Sequence, residues 1–450
     1  MKRNIDEKIN KWLKSSPKKA LLLYGARQVG KTYAVRKLLN NNHVNYFEIN
    51  FFENPDFLQT IRQCSTAQET VRTIELLSPA PLVKGESVIF FDEVQLFPEI
   101  ITAIKFLVEE GSYRYVLSGS LLGVELNGLR SMPVGYVEMM RVYPMNFYEF
   151  SLALGVQEKT WDYLRSCFHS KTKVLDNIHK DMMRVFSVYL VVGGMPDAVN
   201  RFLATSNLND VYELQQNLIN QYKVDFSKYE AQDRKLRLIS IYDDIPSQLN
   251  KQDRRFKFVY LNKELKFDRY ENSFLWLKDA GVALPVYVAK AAEMPLEVSK
   301  AKNIFKLFLS DVGLLSSAFP LVVRQAIALR KEAPKINKGS LYENYVAEEL
   351  NSNGLIPYYF KNQKIGEIDF LVECENDLLA LEIKSGEDYK DHNALDNLIN
   401  ERKDCLKYFT FSDFNVEEDG PITNYPIYMV TFLRKPEIED GRIKVDLGSL

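Results

Sequence analysis

The sequence predicts an α/β, multidomain chain built on a parallel sheet, and three observations predict it. Short apolar strands alternate with helices as far as Ser120, and the first of these strands runs straight into a glycine-rich turn. Helices dominate from Phe147, and short strands return in the C-terminal quarter. Alternating strands and helices imply a parallel sheet covered on both faces.

Composition bounds the rest. The chain has 450 residues, 46% hydrophobic and 26% charged, which suits about three domains with cores of their own and excludes disordered and fibrous classes. With 58 Lys+Arg against 60 Asp+Glu, the formal charge of −2 excludes a globally basic nucleic-acid binder and leaves room for one basic module. No apolar run approaches the roughly 18 residues of a membrane span, and Met1–Lys8 lacks the apolar core of a signal peptide. A cytoplasmic location with no membrane partner is expected. Cys64, Cys167, Cys374 and Cys405 lie far apart, as do the four histidines, so neither a disulfide framework nor a structural zinc site is expected.

In chain order, Ile5, Ile9 and Trp12 at helical spacing open the chain with an amphipathic helix over 4–15. Ala20–Tyr24 is a buried strand, Thr32–Leu39 a helix, Val44–Asn50 and Val88–Phe91 further strands. A helix starts at Pro98-Glu99, with Ile100, Ile101, Ile104, Leu107 and Val108 on its buried side, and Tyr113–Ser118 is another strand. In the middle, Leu236–Tyr242, Asn262–Leu265 and Arg269–Ala280 are helix candidates before an extended Val282–Val288. That order suits a winged helix, and spacing alone equally suits any small helical bundle. Tyr342–Leu350 and Asn393–Glu401 read as helices, Glu367–Glu373 and Leu378–Lys384 as strands around a turn.

Gly25-Ala26-Arg27-Gln28-Val29-Gly30-Lys31-Thr32 has the spacing of a phosphate loop. The glycines let the backbone curl so that successive N–H groups face phosphate oxygens. Lys31 brings a positive charge to them, the Thr32 hydroxyl is suited to ligate Mg²⁺, and the following helix adds its N-terminal dipole. Tyr33, next on that helix, joins the nucleotide-binding set. The apolar strand ending at Asp92-Glu93, 61 residues after Lys31, supplies Asp92 to hold Mg²⁺ and Glu93 as base for the attacking water. Ser118 or Ser120 is placed to sense the γ-phosphate. Arg130 and Arg141 are candidates to meet the developing charge, although Arg141 reads as a surface arginine.

Near the C-terminus, Glu382 and Lys384 sit two apart on one strand and face the same way, beside Asp369 on its neighbour. Two carboxylates, with Glu343 from the preceding helix as a further one, suit a divalent metal, and Lys384 suits a developing phosphoryl charge. From spacing alone, ion pairing on an exposed strand face accounts for the same pattern slightly better.

Taken together these phrases resemble a bacterial and archaeal family of AAA-type P-loop ATPases with a C-terminal domain of unknown function related to PD-(D/E)xK nucleases. The resemblance rests on Gly25–Thr32, Asp92–Gln95, Leu117–Ser120, Tyr143–Phe150, Gly193–Ala198, Ser310–Leu315, Leu341–Val346, Glu367–Asp369 and Leu381–Gly386. It implies an ATPase domain over 1–150, a helical lid over 151–233, a winged-helix-like module over 234–302 and a nuclease-like domain over 303–450. It also implies that Pro196 contacts the adenine and that Asp369, Glu382 and Lys384 form the nuclease triad. Residues 234–302 hold 14 Lys+Arg and 9 Asp+Glu, densest over Lys251–Lys257, a composition able to track DNA. Two functions follow as expectations. One is a Mg²⁺-dependent ATPase whose nucleotide state controls a DNA-acting nuclease domain, with oligomerisation open. The other is a nucleotide switch that recruits a protein partner and carries a silent C-terminal domain.

Overall fold

The computed structural model describes residues 1–15, 18–120, 133, 135–229, 232–257, 270–331, 338–386, 389–401 and 406–436. The helix Asn4–Ser15 buries Ile5, Ile9, Trp12 and Leu13 and leads to the first sheet. Its strands are β1 (Ala20–Gly25), β2 (Tyr46–Asn50), β3 (Val88–Asp92), β4 (Arg114–Ser120) and β5 (Val137–Arg141). They pair in the order β2-β3-β4-β1-β5, all parallel. The helices Lys31–Asn41, Pro55–Arg62, Ala67–Leu77 and Glu99–Glu110 connect them. β4 thus separates the phosphate-loop strand from β3, which brings Gly25, Asp92 and Ser118 to one end of the sheet. β5 lacks the apolar run that marks the other strands, because as an edge strand none of its five residues is buried. That is why sequence pattern did not reveal it.

Helices follow: Phe147–Ala153, Glu158–Ser170, Asp176–Val192, Pro196–Thr205, Leu208–Tyr229, Gln232–Leu249 and Glu271–Asp279. Asn146 and Glu149 cap the first reciprocally, each side chain accepting the other's backbone N–H. Tyr189–Val192, an apolar run of strand length, ends a helix instead, and Gly193 stops it.

A second, mixed sheet collects β6 (Ala283–Ala289), β7 (Lys300–Leu309), β8 (Pro357–Asn362), β9 (Gly366–Cys374), β10 (Asp377–Ile383), β11 (Leu406–Ser412), β12 (Glu417–Asp419) and β13 (Ile422–Pro426). Its order is β12-β13-β11-β10-β9-β8-β6-β7. The hairpin β6–β7 therefore does not stand alone as the wing of a separate module. β6 pairs in parallel with β8, and the expected boundary at 302/303 falls inside β7. The physical reason is apolar surface: Val286, Phe305, Leu307 and Phe308 are buried, a load that a solvated wing cannot cover. The candidate helix over 262–265 lies outside the described residues.

One hydrophobic core runs continuously from Ile5 to Leu433, uniting the inner face of the first sheet, the helices and the second sheet. Phe147 sits at its centre, edge-on to Trp161, Phe186, Tyr189 and Tyr345. Among the described residues no single helix is long and apolar enough to cross a membrane, and the bent pair Asp176–Val192 with Pro196–Thr205 meets that test only by length and composition.

Candidate nucleotide site

β1 delivers the chain to the phosphate loop at Gly25, whose φ of 146° suits glycine. A Cβ there would strike the Val142 carbonyl oxygen. Gln28 and Gly30 take φ of 64° and 88°, and Gly30 starts the helix Lys31–Asn41, so the loop curls around a helix N-terminus. Lys31 is buried, and its Nζ donates to the Ala26 and Gly25 carbonyls at 2.8 and 3.1 Å. Burial pulls its pKa down to about 8, against the attraction of Glu93 and Asp92.

The Thr32 hydroxyl donates to both Asp92 carboxylate oxygens at 3.0 Å. Asn50, at the end of β2, donates to Asp92 Oδ2 at 3.1 Å, and the Ser118 hydroxyl donates to Oδ1. Burial pushes the Asp92 carboxyl above its ordinary value, opposed by the Ser118 and Thr32 hydroxyls. A hydroxyl and a carboxylate already held together at the mouth of the loop fit a hard, oxygen-seeking cation such as Mg²⁺. Ser118 is fully enclosed behind Asp92, whereas Ser120 lines the cleft. Of the two serines expected to sense the γ-phosphate, Ser118 thus touches Asp92 and Ser120 faces the cleft.

Glu93 follows Asp92 in a left-handed conformation, φ 58°, which costs a residue with a Cβ about 1–2 kcal/mol. Gln95 Nε2 holds it, donating to Glu93 Oε2 and, at 3.3 Å, to Ser120 Oγ. Sequence reasoning gave neither Gln95 nor Asn50 a role. The available signal was position: each is a polar residue where an apolar strand ends beside the loop.

These residues face a cleft of about 480 Å³, lined by Arg27, Gln28, Gly30, Lys31, Thr32, Tyr33, Glu93, Ser120 and, from other elements, Met1, Arg3, Pro196 and Asn200. That is an ordinary size for a small-molecule site. Tyr33 is 64% exposed there. A Cβ on Gly30 would stand 3.6 Å from both Pro196 Cγ and Arg3 Nη1, so Pro196 does close over the loop. Arg3 donates to the Val29 and Tyr143 carbonyls at 3.2 and 2.7 Å and to Glu149 at 3.2 Å.

Two loop side chains turn away from the cleft. Arg27 Nη1 donates to both Asp225 oxygens at 2.7 Å, and Gln28 donates to Gln221 at 2.7 Å. Tyr222 OH adds a bond to the Arg27 carbonyl at 3.1 Å. All three partners lie on the helix Leu208–Tyr229. Arg141 caps the Lys278 carbonyl at 3.3 Å, and Arg130 lies outside the described residues.

The C-terminal candidates lie close together, each beside a basic side chain. Glu382 pairs with Lys384 at 3.1 Å, and burial together with the nearby Asp369 pushes its carboxyl up to about 8. Asp369 Oδ2 accepts the Ile383 N–H at 2.9 Å. Glu343 lies on the helix Gly339–Ser352, where it pairs with Arg254 and, at 3.1 Å, with Lys306. Among the described residues no three His, Cys, Asp or Glu side chains come together to hold a metal. In the basic run Lys251–Lys257, the Arg255 and Lys257 side chains stay more than a third exposed while pairing with an acid of the same run. Arg255 and Lys257 pair with Asp253 at 2.6 and 2.9 Å, and Arg254 is turned onto Glu343.

A phosphate loop on β1, with the acid-bearing strand one strand removed across an all-parallel sheet, defines a P-loop nucleotide-binding domain. Residues 17–151 match the model of the AAA domain, so the N-terminal domain is an ATP-binding domain of the AAA type. Residues 183–325 and 338–428 match two domains of unknown function, DUF8612 and DUF4143. No curated protein matches the sequence. Among solved structures, the chain is similar to a Walker-type ATPase of Pyrococcus abyssi at 16% identity, covering 70% of this chain and 95% of that one with a TM-score of 0.42. It is similar to a RuvB variant of Thermotoga maritima at 13% identity, covering 74% and 95% with a TM-score of 0.28. A signal-transduction ATPase with tetratricopeptide repeats from Pyrococcus horikoshii overlaps at 13% identity, 77% and 45% coverage and a TM-score of 0.25. Overlaps this loose carry no argument.

Proposed function

We propose that the chain is a Mg²⁺-dependent ATPase used as a switch, with ATP bound and hydrolysed in the AAA domain and its state passed to the C-terminal sheet. The observation that carries this is the triple grip of the helix Leu208–Tyr229 on the phosphate loop. Further back on the same helix, Gln215 donates to the Val191 and Val192 carbonyls at 3.0 and 2.9 Å and accepts from the buried Arg324. A loop that moves when it takes up phosphate therefore pulls on a helix seated in the shared core.

In the site, Thr32 and Asp92 would hold Mg²⁺, which would supply positive charge to the phosphates. Lys31 binds the phosphates, Glu93 orients and deprotonates the attacking water, and Tyr33 and Pro196 bound the cleft on the base side. The chain itself is the object of the switch. Of the two expectations for the C-terminal domain, a docking platform for a protein partner is favoured over a DNA-cleaving domain, because the carboxylates are paired with Lys306 and Arg254.

Mg²⁺-dependent ATP hydrolysis by the purified chain tests the proposal. Lys31→Ala is expected to abolish nucleotide binding, and Glu93→Gln to keep binding while lowering turnover by about 10²-fold or more, the usual weight of a general base. Unchanged turnover in Glu93→Gln would remove the base from the account.

A further inference from the structure

Lys306 takes no part in the nucleotide site. It lies on β7 between the buried Phe305 and Leu307, and its side chain has no exposed surface. Its Nζ meets Glu367 Oε1 at 2.9 Å, Glu343 Oε2 at 3.1 Å and Asp369 Oδ1 at 3.7 Å, and it stands 5.3 Å from the centre of the Tyr359 ring. An ammonium has three N–H donors and no acceptor. Glu367 and Asp369, two apart on β9, face one side of the strand, and Glu343 comes down from the helix above. The acids thus converge on the chain's own cation.

Two acids of this group have a second basic partner, and Asp369 accepts a backbone N–H. Arg254 pairs with Glu343, and Lys361 pairs with Glu367 at 2.7 Å. The carboxylate oxygens stand about Nζ at ammonium distances, whereas Mg²⁺ and Ca²⁺ draw such oxygens to about 2.0–2.6 Å. A divalent ion entering beside Lys306 would meet a like charge in a desolvated interior, where repulsion is weakly screened. Removing the lysine instead would leave buried carboxylates uncompensated. Glu382, the third acid of the expected metal set, is paired with Lys384 on its own strand.

We infer that the acid site of the C-terminal sheet is neutralised from within. Lys306 stands where a divalent metal would bind, and Arg254 seals the group. The site is a joint that fastens β7 to β9 and the 251–257 segment to the helix Gly339–Ser352, not a centre for cleaving phosphodiesters. This replaces the expected metal set of Glu343, Asp369 and Glu382 with Lys384. It is independent of how ATP is used.

Mn²⁺ binding to the full chain without nucleotide, followed by electron paramagnetic resonance, tests the inference. The wild type and Asp369→Asn are expected to bind Mn²⁺ alike. Lys306→Met is expected to gain one site, which the double variant with Asp369→Asn loses. A wild-type Mn²⁺ site abolished by Asp369→Asn would overturn the inference, as would Mn²⁺-dependent DNA cleavage by the wild type that Asp369→Asn removes. A Lys306→Met protein that melts like the wild type yet gains no site would overturn it too. Should Lys306→Met fail to fold, the comparison of wild type with Asp369→Asn decides alone.

Discussion

On the proposed mechanism Glu93 must be held in place to act on water, and Gln95 is the side chain that holds it. The left-handed backbone at Glu93 aims the carboxylate into the cleft, and the Gln95 amide restrains it on one side while touching Ser120 on the other. A hydrogen bond to a charged group contributes about 1.5–3 kcal/mol, so Gln95→Ala is expected to lower kcat by roughly ten- to a hundredfold with little change in KM. A raised KM with kcat intact would make Gln95 a binding residue instead. The phosphate loop and Asp92-Glu93 were legible in the sequence because their chemistry is written in consecutive residues. Lys306 was not, although a lysine inside Phe305-Lys306-Leu307-Phe308 is a visible anomaly. Its partner Glu343 lies 37 positions away, and only the folded sheet brings them together.

The helix Gly339–Ser352 is the element that ties the two sheets together. Glu343 near its start joins the Lys306 group, while Glu348 and Glu349 near its end reach the ATPase side. Glu348 accepts from Tyr189 OH at 3.1 Å. Glu349 accepts the Phe147 N–H at 3.1 Å and the Thr431 hydroxyl at 2.8 Å. Burial pushes the Glu349 carboxyl up to about 7, against those hydrogen bonds. The folded state then holds a proton that the unfolded state releases from about pH 4.5 upward, so stability falls as pH rises toward 7 and levels off above it. The shift corresponds to about 3 kcal/mol. Glu349→Gln keeps the shape and lets the Thr431 hydroxyl accept in place of donating, so it is expected to raise Tm at pH 8 and leave it nearly unchanged at pH 5. An equal effect at both values would mean the carboxyl is ionised throughout. Helix positions were well legible from apolar spacing, as in Asn393–Glu401. The pairing of β6 with β8 was not, because strand partners are chosen by distant residues and not by local pattern.

The molecule as a whole is organised so that the nucleotide cleft and the second sheet share a core. The Gly193-Gly194 turn shows how tightly: the Gly194 N–H donates to the buried Asp311 at 2.5 Å, and a Cβ on Gly194 would strike the Met145 carbonyl. Asp311 in turn caps the short helix Val312–Ser316 directly after β7. The turn that sets Pro196 over the phosphate loop is therefore fastened to the end of β7. A second route runs from Arg27 through Asp225 along the helix Leu208–Tyr229 to Arg324. The parallel-sheet N-terminal domain and its phosphate loop follow from the sequence, whereas these two routes join residues that no sequence spacing connects. The most direct measurement is hydrogen–deuterium exchange on Glu93→Gln, with and without Mg²⁺ and ATP, alone and combined with Asp225→Ala. The account predicts that ATP changes protection in the helices Leu208–Tyr229 and Gly339–Ser352, and that Asp225→Ala weakens the change beyond the loop while ATP still binds. Protection confined to the phosphate loop and its cleft, with the C-terminal sheet indifferent to ATP, would contradict it.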